Sequence, residues 1–232
     1  MPSIADVFDG KSPLPDQLPD NPFPILQDWL EGAWSRKDQP NPHSMALATA
    51  TPEGSPSVRM VLCKHIDPDQ GYVVFYTNYR SRKGRELDAN PRASVCFHWD
   101  HVERQVRIEG IVVRSPAAES DAYFASRPWE SRIGAWASDQ SEPIASRSAL
   151  LEKVMTRIGE LGLSLPALML SGNKVEIPRP PHWGGYRLWA TSVECWAAGA
   201  GRIHDRARWE RRVDQEDGTM RCGPWCSTRL QP

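Results

Sequence analysis

Apolar residues change their spacing several times along the chain, and each change marks an element. Ile25, Leu26, Trp29, Leu30, Ala33 and Trp34 recur at helical spacing and predict one amphipathic helix. Ser44–Ala50 and Ser57–Lys64 flank the turn-like Thr51-Pro52-Glu53-Gly54, which predicts a hairpin. Asp67-Pro68-Asp69-Gln70-Gly71 forms a second turn leading into a strand at Tyr72–Thr77. Ser81 caps a short helix through Asp88, ended by Asn90-Pro91. Ala93–Trp99 and Gln105–Val113 read as two further strands. Ser115-Pro116 opens a helix that stops at Arg127, because Pro128 disfavours helical geometry in the residue before it. Leu151, Val154, Ile158 and Leu161 mark a longer helix from Ile144 to Gly162. Leu163–Pro181 is aperiodic and contains proline, which predicts a long loop. Tyr186–Trp196, Ala207–Val213 and the C-terminal segment return to strand.

At least six strands with a few helices, and no regular strand–helix alternation, exclude a doubly wound parallel sheet. The pattern favours a mainly β fold, an antiparallel barrel with added helices. There is no internal repeat, no GxGxxG and no GxxxxGK[ST], so dinucleotide and P-loop readings lose their support. Residues 1–24 hold six prolines and four aspartates, and read as a mobile acidic arm ahead of a single domain over 25–232.

Composition narrows the class. The 232 residues can bury roughly 70% of their unfolded surface without a disulfide or metal staple. Charge nearly cancels, 28 Lys+Arg against 29 Asp+Glu, which argues against a bulk nucleic-acid binder. No apolar run approaches the ~18 residues of a membrane span, and the N-terminus lacks the basic start and apolar core of a signal peptide. Five cysteines cannot pair completely, and Cys63, Cys96 and Cys195 sit in apolar runs. Reduced thiols and a cytoplasmic location are expected. Cys222 and Cys226 have no second ligand pair, and His43, His65, His98, His101 and His182 show no metal spacing, so no metal site is expected. There is no Gly-x-Ser-x-Gly elbow.

Several clusters have the chemistry of anion sites. Arg202-Ile203-His204-Asp205-Arg206 follows Ala197-Ala198-Gly199-Ala200-Gly201, whose glycines allow close backbone approach to a ligand. If extended, it places Arg202, His204 and Arg206 on one face, where an anion would compensate them. The other reading is a solvated face with Asp205, Glu210 and Asp214 as partners. Tyr123 and Arg127 share a helix face, with Ser131 just beyond. Together they offer a phenol, a guanidinium and a hydroxyl to a phosphate, although a helix C-terminus opposes an anion. An exposed Tyr–Arg pair is the alternative. Arg59 and Lys64 bracket Met60-Val61-Leu62-Cys63, and Ser81-Arg82-Lys83 lies at a helix start, where N–H groups and cations favour anions. Gln105 and Gln140-Ser141 add polar groups.

Taken in order, these fragments resemble the pyridoxamine 5′-phosphate oxidase family from about residue 25 to the C-terminus. The motifs are Arg59-Met60-Val61-Leu62-Cys63-Lys64, Phe75-Tyr76-Thr77-Asn78, Ser81-Arg82-Lys83, Glu103-Arg104-Gln105-Val106 and Tyr123-Phe124-Ala125-Ser126-Arg127-Pro128. Ser131-Arg132-Ile133-Gly134-Ala135-Trp136, Gln140-Ser141, Trp183-Gly184-Gly185-Tyr186 and Arg202-Ile203-His204-Asp205-Arg206 complete the series. The resemblance implies a homodimeric split β-barrel binding FMN at the subunit interface. It implies FMN contacts from Arg59, Met60, Val61, Leu62, Tyr76, Thr77, Arg82, Lys83, Gln105, Gln140, Ser141, Trp196 and Arg206. It also implies a substrate-phosphate set of Lys64, Tyr123, Arg127 and Ser131, with Arg202 and His204 over the substrate ring as the catalytic pair. The implied reaction oxidises pyridoxamine or pyridoxine 5′-phosphate to pyridoxal 5′-phosphate. O2 is the acceptor and H2O2 is formed, with NH3 released from the amine. The family's N-terminal Arg/Tyr segment has no clear counterpart in the acidic arm, and the 163–181 loop looks longer than usual. A phenazine-type flavin oxidase, a non-enzymatic flavin- or haem-binding split barrel and a pyridoxal-phosphate carrier are the alternative readings.

Overall fold

Strict alternation builds the first part of the fold. In β1 (Ser44–Ala50), Met45, Leu47 and Thr49 point inward while the residues between are half-buried. β1 lies antiparallel between β2 (Pro56–Leu62) and β5 (Arg92–Trp99), pairing Met45 with Val61 and Phe97. The computed structural model describes residues 14–232. Residues 1–13 of the expected acidic arm lie outside the described residues. The contacts divide the described residues into two compact units, 14–75, 90–113 and 187–232 in the first, and 76–89 and 114–186 in the second.

The first unit carries the antiparallel sheet. β3 (His65–Asp67), β4 (Tyr72–Asn78), β6 (Arg104–Arg114), β7 (Trp183–Ala197), β8 (Asp205–Glu210) and β11 (Cys226–Leu230) join the strands above. The strand order is β11-β8-β7-β6-β5-β1-β2, with β3 on β4 and β4 also on β7. Val95 faces Ile108 and Phe97 faces Val106 across β5 and β6, so cross-strand apolar pairs fill the interior. Gly110 on β6 allows close approach, since a Cβ there would lie 1.9 Å from the Trp189 carbonyl oxygen. α1 (Phe23–Arg36) buries Phe23, Leu26, Trp29 and Ala33, the expected apolar face. The 14–19 stretch is tied down ahead of it. The Leu14 N–H donates to Asp205 Oδ2 at 2.6 Å, the Trp209 indole donates to the Pro19 carbonyl at 2.7 Å, and Arg229 donates to the Pro15 carbonyl at 2.8 Å.

The expected strand at Ala207–Val213 is two elements. β8 ends at Glu210, and β9 (Val213–Glu216) turns back on β10 (Thr219–Cys222). Asp217 and Gly218 both have positive φ, 50° and 77°, the geometry of a tight two-residue hairpin turn.

The second unit is helical: α2 (Arg82–Ala89), α3 (Ala117–Ser126), α4 (Trp129–Ala137), α5 (Arg147–Glu160) and α6 (Leu165–Ser171). Phe124, Ile133, Ile158, Leu168, Ile177 and Trp183 form its core. α3 stops before Arg127 as expected. Pro128 does two jobs, however, because it ends α3 and then serves as N-cap of α4, a helix the periodicity did not disclose. The expected loop at Leu163–Pro181 contains α6, capped by the Ser164 hydroxyl on the Ala167 N–H and stopped at Gly172 (φ 56°). α5 starts at Arg147 rather than Ile144, because the Ser146 hydroxyl accepts the Ala149 N–H. Among the described residues no helix is long and apolar enough to cross a membrane.

Candidate active site

In the second unit, two clusters of proposed site residues assemble. The first lies at the end of β4 and the start of α2. Lys83, 7% exposed, directs its ammonium at Thr77 Oγ1 (3.1 Å), Gln140 Oε1 (3.1 Å) and Ser81 Oγ (3.3 Å). Gly84 lets the helix start close on the preceding backbone, since a Cβ would sit 2.0 Å from the Tyr79 carbonyl oxygen. Asn78 links the two sides of this cluster. Its side chain donates to the Ser138 carbonyl at 3.1 Å and accepts the Arg80 N–H at 2.8 Å. Arg82 is half-exposed and paired with Glu86 at 2.8 Å. Ser141 stands beside Gln140 in an exposed turn with φ 75°.

The second cluster is aromatic and cationic. Tyr76 stacks on Tyr123 (centroids 4.0 Å apart) and lies parallel to Trp183 (5.5 Å, 11°). Arg127 is the C-cap of α3 in extended geometry, so it leaves the helix face it was expected to share with Tyr123. Its guanidinium lies 4.6 Å over the Trp183 ring and 5.6 Å from Phe124. Its Nη1 is buried with no hydrogen-bond partner among the described residues, and burial holds its pKa below the ordinary arginine value. An unpaired, partly desolvated cation is costly unless an anion arrives. Ser131 sits in the first turn of α4, whose N-terminal dipole favours that anion. The expected penalty from the α3 C-terminus is therefore opposed by a second helix start. Neighbouring Arg132 is buried and spent on the Val175 and Asn173 carbonyls, at 2.9 and 3.0 Å.

In the first unit, Arg59 on β2 binds Thr49, Ser57 and the Leu47 carbonyl, while Met60 and Leu62 face outward, 63% and 38% exposed. Val61 is half-buried beside them. Gln105 on β6 pairs in register with His98. Lys64 follows β2 and lines a pocket with Gln27, Leu30 and Cys63. Trp196 on β7 packs on the His204 ring at 4.7 Å. Arg206 is held by Glu194, with Nε and Nη2 at 3.2 and 2.9 Å, and Glu194, 5% exposed, also binds Arg107 at 2.8 Å.

The segment before β8 is not extended, which corrects the single-face expectation for Arg202, His204 and Arg206. Arg202 ends a 3-10 turn with φ 64°, so alternation begins only at Asp205. Gly199 is close-packed against its own chain. A Cβ there would lie 1.8 Å from the Ile203 carbonyl oxygen. Its N–H donates to His204 Nδ1 at 3.2 Å. Neutral His204 therefore carries its proton on Nε2 and presents a donor there. Of the expected solvating partners, Asp205 binds Arg229, Glu210 binds Arg208 and Asp214 binds Arg212, whereas Arg206 takes the buried Glu194.

Burial pushes the Cys63 thiol up to about 12 and raises Cys195 as well, so neither is a nucleophile at neutral pH. Among the described residues no three His, Cys, Asp or Glu side chains converge as metal ligands.

Comparison with known proteins defines the class first. The crystal structure of PhzG from Burkholderia lata 383, in complex with tetrahydrophenazine-1-carboxylic acid, superposes with a TM-score of 0.77 at 34% identity, over 94% of this chain and 95% of that one. A pyridoxamine 5′-phosphate oxidase-related, FMN-binding protein from Nostoc punctiforme PCC 73102 shares the fold, with a TM-score of 0.64 at 18% identity over 94% of this chain and 99% of its own. The fold class is the antiparallel split barrel expected from the sequence. Residues 36–161 match the pyridoxamine 5′-phosphate oxidase family and 183–232 match the pyridoxine 5′-phosphate oxidase C-terminal dimerisation region. A pyridoxine/pyridoxamine 5′-phosphate oxidase of Microcystis aeruginosa is 45% identical, covering 99% of both chains, and one of Paraburkholderia xenovorans is 48% identical over 91% of this chain and 89% of its own. The chain belongs to the pyridoxamine 5′-phosphate oxidase family.

Sequence reasoning missed Glu194, Asn78 and the role of Gly199. Glu194 carried no local signal, because its partner Arg107 lies 87 residues away. Gly199 did stand out, but as room for a ligand; the room is taken by the Ile203 carbonyl.

Proposed function

We propose that this protein is an FMN-dependent oxidase converting pyridoxamine or pyridoxine 5′-phosphate to pyridoxal 5′-phosphate. O2 is the electron acceptor, H2O2 the product, and NH3 leaves from the amine substrate. The observation that carries the reading is the Arg127 guanidinium, half-buried with a free Nη1 beside Tyr123 and near a helix start bearing Ser131. Such a site fits a phosphate monoester. Lys64 is assigned to the same substrate phosphate, and Arg202 and His204 to the pyridine ring.

The residues present fit FMN. A buried ammonium among hydroxyl and amide groups at a helix start suits a phosphate, so Thr77, Lys83, Arg82, Gln140 and Ser141 are assigned to it, with Tyr76 alongside. Arg59, Met60, Val61, Leu62, Gln105, Trp196 and Arg206 are assigned to the remainder of the cofactor. When bound, FMN supplies a two-electron acceptor at N5 for hydride from substrate C4′. The chain's own work is placement and charge. Phosphate anchoring provides remote binding energy that fixes C4′. Arg202 opposes negative charge on the pyridine oxygen. His204 donates from Nε2 and is not the base in its neutral form. Glu194 keeps Arg206 aimed.

The match of residues 183–232 to a dimerisation region supports a homodimer, and 25–232 is assigned as its single functional domain. A cytoplasmic, vitamin B6-producing role follows from this reading. The PhzG similarity supports a second reading, oxidation of a phenazine precursor. Lys64, Tyr123, Arg127 and Ser131 together favour the phosphorylated substrate.

Anaerobic addition of pyridoxamine 5′-phosphate to the flavin-loaded protein is expected to bleach the visible flavin band. Air should restore it, with pyridoxal 5′-phosphate formed. A band that bleaches with neither B6 phosphate overturns the substrate, and bleaching by a dihydrophenazine acid alone installs the second reading. Lys83→Met is expected to weaken FMN binding by about 10- to 100-fold, since hydrogen bonds to a charged group contribute about 1.5–3 kcal/mol. Quenching of flavin fluorescence on titrating the apoprotein reads this directly, and unchanged affinity would remove Lys83 from the phosphate site.

A further inference from the structure

Trp183 has no part in the assignments above, yet it is the group that holds Arg127. We propose that Trp183 is a positioning residue for phosphate recognition, its indole face fixing the Arg127 guanidinium where other proteins would use a carboxylate. The inference rests on the assignment of Arg127 to the substrate phosphate.

A carboxylate would fix the guanidinium but also consume its N–H groups and neutralise its charge. An indole face attracts the cation through the ring quadrupole and leaves the donors at the rim available. The geometry matches: the Arg127 carbon lies 4.6 Å from the ring centroid, and its buried Nη1 has no partner among the described residues. The neighbouring Arg132 cannot substitute, because backbone carbonyls of Val175 and Asn173 take its N–H groups.

The platform is itself immobile. Trp183 is 6% exposed, with its backbone N–H donating to the Pro180 carbonyl (3.1 Å) and its backbone carbonyl accepting from Arg179 (2.6 Å). Phe124 meets it edge-on at 5.1 Å. The two glycines that follow are sealed: a Cβ on Gly184 would lie 2.0 Å from Tyr79 Oη, and one on Gly185 2.6 Å from Ser115 Oγ. Trp183 is also parallel to Tyr123, 6.2 Å and 11° away, across the same stack that contains Tyr76. One indole therefore fixes the spacing between the Tyr123 phenol and the Arg127 guanidinium, the two donors proposed to share a phosphate.

The test compares Trp183→Phe, Trp183→Leu and Arg127→Ala as FMN-loaded enzymes, measuring KM, kcat and the inhibition constant of inorganic phosphate. Trp183→Leu is expected to raise KM and the phosphate inhibition constant together by about tenfold, within the range of a desolvated cation–π contact. It should leave kcat and FMN affinity within about twofold. Trp183→Phe, which keeps a π face, should recover most of the loss. A folded Trp183→Leu with wild-type KM and phosphate inhibition overturns the proposal, as does Trp183→Phe performing no better than Trp183→Leu. If Trp183→Leu yields no folded holoenzyme, Trp183→Tyr against Trp183→Met decides it: equal phosphate inhibition constants overturn the platform. Arg127→Ala separates the two levels. A raised phosphate constant in Arg127→Ala alone rejects Trp183 and leaves the site standing, whereas no change in Arg127→Ala rejects the site and the platform together.

Discussion

Arg127→Ala is expected to raise the KM for pyridoxamine 5′-phosphate by about 10- to 100-fold while kcat changes by less than about threefold. The magnitude follows from removing charge-assisted hydrogen bonds to a dianion, about 1.5–3 kcal/mol. Arg127 holds substrate in ground and transition state alike, so its loss appears in KM rather than in the chemical step. A second readout makes the prediction specific. Arg127 is half-buried, and among the described residues its Nη1 has no hydrogen-bond partner and its guanidinium no ion pair, so truncation removes a desolvated cation without breaking one. The melting temperature of the substrate-free variant should therefore hold or rise. An ordinary structural arginine would give the opposite result, a loss of stability with kinetics unmoved. Steady-state kinetics and thermal melts on the same preparation distinguish the two.

Gly199→Ala is expected to lower kcat about a hundredfold with FMN still bound. Its Cβ would stand 1.8 Å from the Ile203 carbonyl oxygen, a backbone atom, so the turn must open. That movement breaks the N–H contact to His204 Nδ1 and frees the imidazole to exchange tautomers. Displacement of a reacting group's partner by about 1 Å costs on the order of 10²-fold. His204→Ala should lose turnover to a similar degree, and the double variant should add little further loss, because both changes remove one interaction. Independent, multiplying losses in the double variant would mean that Gly199 acts elsewhere. A crystal of Gly199→Ala with His204 unmoved would likewise end the argument.

The strands were legible because one face of each is buried, so alternation survives in the sequence, as at Met45, Leu47 and Thr49. The helices of the second unit were read less well, and the reason is local. α4 is only nine residues long and starts at a proline that also terminates its predecessor, so its start signal reads as a stop. α6 spans seven residues, too few for a period to declare itself. Its Ser164 cap and Gly172 stop were nevertheless in plain view. The Asp217-Gly218 pair is a strong hairpin signal that disappears when the C-terminal segment is read undivided as strand. Among site residues, cations at Arg127 and Lys83 stood out by type. Their pairings did not: Trp183 lies 56 positions beyond Arg127, and Gln140, although named as a polar group, lies 57 beyond Lys83, so each contact appears only after folding.

Asp205 stands one residue from His204, and two distant stretches of chain converge on it: the Leu14 N–H and the Arg229 guanidinium both take its carboxylate. Arg229 also grips the Leu14 and Pro15 carbonyls, so the 14–19 stretch and β11 are buckled together at the first residue of β8, one position after the imidazole. A nick in that stretch releases the buried Leu14 side chain and loosens the Pro19 carbonyl that accepts from the Trp209 indole. A preparation clipped there is therefore expected to melt earlier than the intact protein as well as turn over more slowly, and mass spectrometry beside a thermal melt would recognise it.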